Sequence, residues 1–292
     1  MAIRDSRKKK EKEIPMEVSK GTGAVMTAIL SVLAIGFVLP ILLVLMNSFK
    51  NKLYISDAPF ALPTSETFSG LYNYINGIGR TGLIGAAGRS AFITVFSVIA
   101  IVLLTSMTAW WITRVHSKIS SMLYYMFVFA MIVPFQMVMF TLSKVTDMLG
   151  LGNMFGIIFV YVGFGAGLSV FMFAGFIKAI PISLEEAAML DGCSPIQTFF
   201  KVIVPILRPT MITVAILNAM WVWNDYLLPT LVLDSDAPTI PMAVQYLRGG
   251  YGSIDMGAMM AMLVLAIVPI IVFYLSCQKY IIKGVAAGAV KG

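Results

Sequence analysis

The sequence predicts an all-α integral membrane protein with six transmembrane helices and both termini in the cytoplasm, on three observations. Of 292 residues, 59% are apolar and only 12% charged, and the mean hydropathy of +0.90 lies outside the soluble globular range. Apolar runs close to the roughly 20 residues needed to cross about 30 Å of hydrocarbon recur along the chain, at 24–46, 90–112, 121–142, 154–177, 209–231 and 257–278. Lys and Arg divide unevenly between the two sides: with the N-terminal tail inside, fifteen of the 21 fall on the inner side and six on the outer. The formal charge of +7 then reflects topology rather than a nucleic-acid partner.

Unpaired backbone amides are costly in lipid, so each run is expected to be helical. The period-two alternation of a membrane β-barrel is absent. Residues 1–23 form a basic cytoplasmic tail, and Lys8–Lys12 suit generic contact with anionic lipid. The apolar run after it is too long for a signal h-region and no A-x-A pattern follows, which predicts an uncleaved first span. Residues 47–89 are a long outer connection with the turn-rich stretch ALPTSETFSG and the interfacial aromatics Tyr72 and Tyr74. A short inner loop at 113–120 holds His116, the sole histidine, with no ligand companions. In the third span Met131, Phe135, Gln136, Met137 and Met139 either line a pathway or pack against a partner. Residues 143–153 are a short outer loop. The second long outer loop, 232–256, contains Pro238, Pro241, Gly249, Gly250 and Gly252 and has room for a short amphipathic or re-entrant element. Pro40, Pro134 and Pro269 fall inside spans, where each removes a backbone bond and produces an ordinary kink or a hinge. Cys193 and Cys277 sit on or near the inner side, where neither a disulfide nor a metal cluster is expected.

One polar segment interrupts the spans past mid-chain, EEAAMLDGCSPIQTFFKVIVPILRP, Glu185–Pro209. Ser183 is followed three residues later by Glu186, and Ser194 by Gln197 with Pro195 between them. Both spacings match a capping box, in which serine and acid or amide side chains each take a free backbone N–H. Gly192 sits where the first helix should stop in a left-handed cap. Two short helices are therefore predicted, 184–191 and 195–203. The second carries Ile196, Phe199, Phe200 and Ile203 as an i, i+3, i+4, i+7 stripe for packing on the bundle. The first offers alanines for close approach and carboxylates held by the helix dipole. From residue chemistry alone, a docking helix and a plain solvated connector are both open.

Glu186-Ala187-Ala188, three residues, Gly192 and a terminal Pro205 resemble the EAA motif of ABC importer permeases, with Val202 and Val204 where that family prefers Ile and Leu. Trp223-Asn224-Asp225-Tyr226, the run QKYIIKGVAAGAVKG and the SFK at 48–50 are similar to the carbohydrate branch of the family, that of the maltose permease subunit MalG. The resemblance covers nearly the whole chain. It implies a type I ABC importer permease fold, with a permease domain at 24–278, its EAA segment at 183–205 and a C-terminal tail at 279–292. It implies ATPase coupling through Glu186, Ala187 and Gly192, with Glu185, Ala188, Asp191 and Pro205 beside them. The implied partners are a second, MalF-like permease subunit, two cytoplasmic ABC ATPase subunits and an extracytoplasmic sugar-binding protein, in a bacterial cytoplasmic membrane. The outer loops 50–89 and 232–256 would receive the binding protein, and Val285–Gly292 would run along the ATPases.

Gln136, Asn224, Asp225 and Tyr226 are candidates for the translocation pathway. Asp225, ionisable within a predicted span, either serves translocation or gating or pairs with an outer basic residue. No phosphate loop of the form G-x-x-x-x-G-K-[ST] occurs, so ATP and magnesium are expected on a partner and this chain is expected to be non-catalytic. Gly77–Gly82 fits G-x-G-x-x-G but follows no strand and is read as chance. The rivals are an importer permease for a non-sugar solute, a secondary transporter, which needs more intramembrane charges and inverted repeats, and an intramembrane enzyme, which needs a catalytic pair the spans do not supply.

Overall fold

The computed structural model describes residues 19–245, 247 and 255–289, with backbone alone for 20 and 281–289. The basic tail up to residue 18, most of the glycine-rich part of the second outer loop and the last three residues of the C-terminal tail lie outside the described residues. Within them the chain is helical apart from turns and one isolated bridge between Lys50 and Phe68.

Helix α1, Lys20–Asn47, is apolar on all sides and exposed over most of its length, as a lipid-facing helix is, with Asn47 buried at its end. Ser19 caps it by accepting from the Thr22 N–H at 3.5 Å. The next connection contains α2, Lys52–Asp57, and α3, Tyr72–Thr81. Buried Asn73 on α3 donates to the carbonyls of Ser48 and Lys50, both at 2.8 Å, and so ties the loop back to the end of α1. The buried Lys50 amine donates to the Ala58 carbonyl at 2.9 Å. Gly77 lies on α3 where an added Cβ would stand 2.7 Å from Met262 Cε, so this glycine of the G-x-G-x-x-G match serves helix packing. Gly82 follows at a φ of 57°, a left-handed turn that lets α4, Leu83–Arg114, start at a new angle and seven residues before the predicted span.

Helix α4 packs along much of α7, Gly156–Ile177, with α5, Lys118–Ile132, and α10, Val204–Asn224, beside them. Small residues make this close approach possible. A Cβ on Gly165 would sit 2.7 Å from Ile101 Cδ1 and 2.8 Å from Asn218 Oδ1. The buried core at one end of the bundle joins Ala109 and Ile112 of α4, Phe173 and Ile177 of α7, and Leu207 of α10. A separate cluster at the other end joins Ile93, Tyr161 and Val222.

The third predicted span is not one helix. α5 ends at Ile132 and α6, Phe135–Met148, continues at 107° to it. Proline has no N–H and its ring forces the preceding residue out of the helical region. Val133 accordingly adopts an extended φ of −70° and ψ of 118°. Pro134 therefore breaks the run rather than bending it, whereas Pro40 and Pro269 are accommodated inside α1 and α13.

The fifth run also ends early, at Asn224. Asp225 Oδ1 accepts from the N–H groups of Leu227 at 3.0 Å and Leu228 at 3.3 Å, and this local alternative to the helix ladder opens the separate helix α11, Leu227–Val232. Beyond it, α12, Ile240–Gln245, supplies a short buried element in the connection before the last helix. The last helix, α13, runs Met256–Ala289, so the predicted tail is helical in backbone through Ala289. Arg80 and Asp255 pair at 2.7 Å, and Asn76 donates to the same carboxylate at 3.2 Å, fastening α3 to the start of α13. Five described helices are long and apolar enough to cross a membrane, or six if α5 and α6 count as one broken span.

Candidate coupling site

Between α7 and α10 the chain forms α8, Ser183–Leu190, and the single-turn α9, Pro195–Thr198. The stop between them is a Schellman closure: Gly192 N–H donates to Met189 O and Cys193 N–H to Ala188 O, both at 3.0 Å, with Gly192 at a φ of 88°. The second capping box is present, with Ser194 Oγ accepting from Gln197 N–H at 3.3 Å and Gln197 Oε1 accepting from Ser194 N–H at 2.9 Å. The first box is not. Ser183 is the first residue inside α8, Ile182 occupies the cap without a side-chain bond, and the backbone N–H groups of Leu184 and Glu185 bond to Pro181 and Ile182 carbonyls. The turn through Pro181 supplies by backbone what the serine was expected to supply.

α9 passes into α10 through a π-helical turn, Phe199–Ile203. Of the predicted apolar stripe, Phe199 and Ile203 are buried, while Ile196 and Phe200 are exposed. A π-turn holds more residues than an α-turn, so Phe199 and Ile203, four apart, keep a common face while Phe200 and Ile203, three apart, separate.

Glu186 and Ala187 are exposed, Ala188 is half-buried, and Leu190 at the tip is 89% exposed. Asp191 and Gly192 are exposed at the C-terminal cap. Pro205 is exposed on the first turn of α10, apart from α8. Glu185 differs from its expected place beside the outward contact. Only 3% of it is exposed, and it turns into the bundle. Arg114 Nε donates to Glu185 Oε1 at 2.8 Å and Arg114 Nη2 lies 2.7 Å from the same oxygen. Trp110 Nε1–H donates to Glu185 Oε2 at 2.9 Å. The outward face of α8 therefore keeps one carboxylate of the Glu-Glu pair, and the other fastens the helix from behind.

The pathway candidates separate into different environments. Gln136 is exposed at the start of α6. Asn224 and Tyr226 line a cleft of about 540 Å³ with Pro40, Pro241, Gln245 and Ile267. Asp225 points elsewhere, to Tyr161, whose hydroxyl donates to it at 3.2 Å, and no basic side chain pairs with it among the described residues. Phe135 packs edge-on to Phe164 with ring centroids 5.3 Å apart, a packing role for one of the third span's aromatics.

A bundle of membrane-length helices whose central polar loop folds into a capped, outward-facing helix pair is the build of a multi-pass transport subunit. The chain belongs to the family of binding-protein-dependent transport system inner membrane components, whose model matches residues 98–287. It is 39% identical over 261 residues to the probable starch degradation products transport system permease protein AmyC of Thermoanaerobacterium thermosulfurigenes, covering 89% of this chain and 94% of that one. To the multiple sugar-binding transport system permease protein MsmG of Streptococcus mutans it is 35% identical over 269 residues, covering 90% and 95%. The fold matches a chain of a bacterial ABC transporter involved in the import of alginate, with a TM-score of 0.74 at 22% identity, over 88% of this chain and 95% of that chain. The protein is thus a multi-pass inner-membrane component of a binding-protein-dependent system that includes other subunits.

Proposed function

We propose that the chain is the MalG-like permease subunit of an ATP-driven sugar importer, with six membrane crossings, α5 and α6 together making the third, and both termini in the cytoplasm. Sugar, and a di- or oligosaccharide in particular, is supported by the transport systems for which the relatives are named. The observation that carries the coupling role is the outward face of α8, where Glu186, Ala187 and the Gly192 cap stand free of the bundle. Small side chains allow a partner's backbone close, and a carboxylate in the first helical turn is both held by the helix dipole and available to a basic partner.

In this reading α8 docks on a cytoplasmic ATPase, two copies of which hold the ATP and magnesium, while this chain does no hydrolysis itself. A second, MalF-like permease completes the pathway, and Asn224 and Tyr226 are this chain's contribution to it, since amides and a phenol in a largely apolar cleft that also holds Gln245 suit sugar hydroxyls and ring faces. The extracytoplasmic binding protein meets the face formed by α2, α3, α11 and α12. The test is mass spectrometry of the intact detergent complex drawn out through a tag on this chain, wild type beside Glu186→Lys. One partner permease and two ATPase copies are expected, with the ATPases depleted in the variant. A homo-oligomer without ATPase, from the native membrane, would overturn the proposal.

A further inference from the structure

The covalent chain ties α8 to only two membrane helices, α7 through residues 178–182 and α10 through α9 and the π-turn. The buried polar cluster behind α8 adds a third tie, to the end of α4, a helix some 70 residues away in sequence. Both oxygens of Glu185 are engaged, one by Arg114 and one by Trp110. Arg114 Nη2 also donates to the Ile180 carbonyl at 3.0 Å, and the Trp110 ring lies against Phe199 at 5.4 Å between centroids, at the first residue of the π-turn. Four contacts thus converge on one turn of α4 from the loop before α8, from α8 itself and from the start of the π-turn. The Glu185 side chain is 4% exposed and the Arg114 side chain 17%.

A buried ion pair of this kind adds little net stability over well-packed apolar residues of equal volume, so its presence calls for a different explanation. What it supplies is direction: charge-assisted bonds at fixed geometry resist sliding of α8 along α4, as apolar contacts would not. Resting on the coupling role proposed above, we infer that Glu185, Arg114 and Trp110 are positioning residues that pass the displacement of α8 to α4. α4 spans the bundle and packs on both α7 and α10, so movement at its Arg114 end reaches the core around Val102 and Ile101 and, beyond it, the opposite face.

The experiment uses the whole transporter in proteoliposomes, with its own binding protein and radiolabelled maltodextrin, and reads solute taken up per ATP hydrolysed. The decisive variant is the volume-matched double change Glu185→Met with Arg114→Met, beside Trp110→Phe. Uptake per ATP is expected to fall about tenfold in the double variant and about threefold in Trp110→Phe, with the ATPases still bound. An unchanged ratio in both, or loss of the ATPases in both, would mean that the cluster only braces the fold. A spin-label pair at the exposed Ser183 and His116, with Cys193 and Cys277 changed to Ser, gives the second readout. Their separation should stay constant in wild type on adding ATP and vanadate and shift in the double variant; a constant separation in both overturns the inference. Wild type that binds ATPases but takes up no maltodextrin refutes the choice of sugar alone, and the label pair still decides. Wild type recovered without ATPases refutes the coupling reading and this inference with it.

Discussion

The segment 183–205 and the run 121–148 are of similar length and both contain a helix break, yet only the first break is encoded by residues that announce it. At Gly192 the stop is local: a glycine at a φ of 88°, two backbone bonds and a proline three residues on. At Pro134 a mainly apolar stretch continues as far as Leu142 before Lys144 and Asp147, and such a run with one proline is compatible with a kinked span or with two helices at 107°. The difference teaches that caps specify where a helix ends, whereas the angle at a proline is set by what the two halves pack against. Here α5 packs on α7, and α6 lies near α11, with Ser143 donating to the Leu231 carbonyl at 3.2 Å.

Tertiary ties are the strongest place to test that division, because they were least visible in sequence. Arg114→Leu leaves the Glu185 carboxylate buried without its counterion and is expected to cost about 3 kcal/mol, measured by chemical unfolding in detergent micelles. A loss below about 1 kcal/mol would show that solvent reaches the pair and that the cluster is not rigid. Gly165→Leu comes next. It places carbon into Ile101 and Asn218 at the crossing of α4, α7 and α10, and about 2 kcal/mol of destabilisation is expected. Gly175 has nothing near its missing Cβ, so Gly175→Leu on the same helix should be close to neutral. Equal effects at the two positions would remove the close packing of α7 as the reason for its glycines.

At the far end of the bundle, Asp225→Ala removes the acceptor for Leu227, Leu228 and Tyr161 and should cost about 1–2 kcal/mol. If the variant is as stable as wild type and transport is lost, Asp225 acts in translocation instead of closing α10.

Legibility followed the range of the interaction. The membrane class, the approximate place of the first, second, fourth and last apolar runs, the Gly192 stop and the Ser194 box were readable because each depends on neighbours in sequence, whereas the third run breaks at Pro134 and the fifth is displaced to 195–224. In the sequence Arg114 is one of fifteen inner-side charges and Trp110 one aromatic of an apolar run. Nothing in the spacing of Trp110, Arg114 and Glu185 connects residues 71 and 75 positions apart, and an acidic pair at the start of a helix gives no sign of which member turns inward. Glu185 turns inward because α8 meets α4 on that side, a fact of packing alone.

The smallest effect separates two serines that look alike in sequence. Both precede a Glu or Gln by three residues, but Ser194 accepts the Gln197 N–H and Ser183 caps nothing. Ser194→Ala should therefore lose about 1 kcal/mol, the usual worth of an N-cap, whereas Ser183→Ala, inside the first turn of α8, should change stability by less than about 0.5 kcal/mol. Because α9 is a single turn that leads directly into the π-turn, the Ser194 loss should also appear as faster amide exchange at Gln197 and Thr198, with α8 unaffected. Equal losses at both serines would mean that α8 begins at a side-chain cap after all and that the backbone turn through Pro181 does not close it.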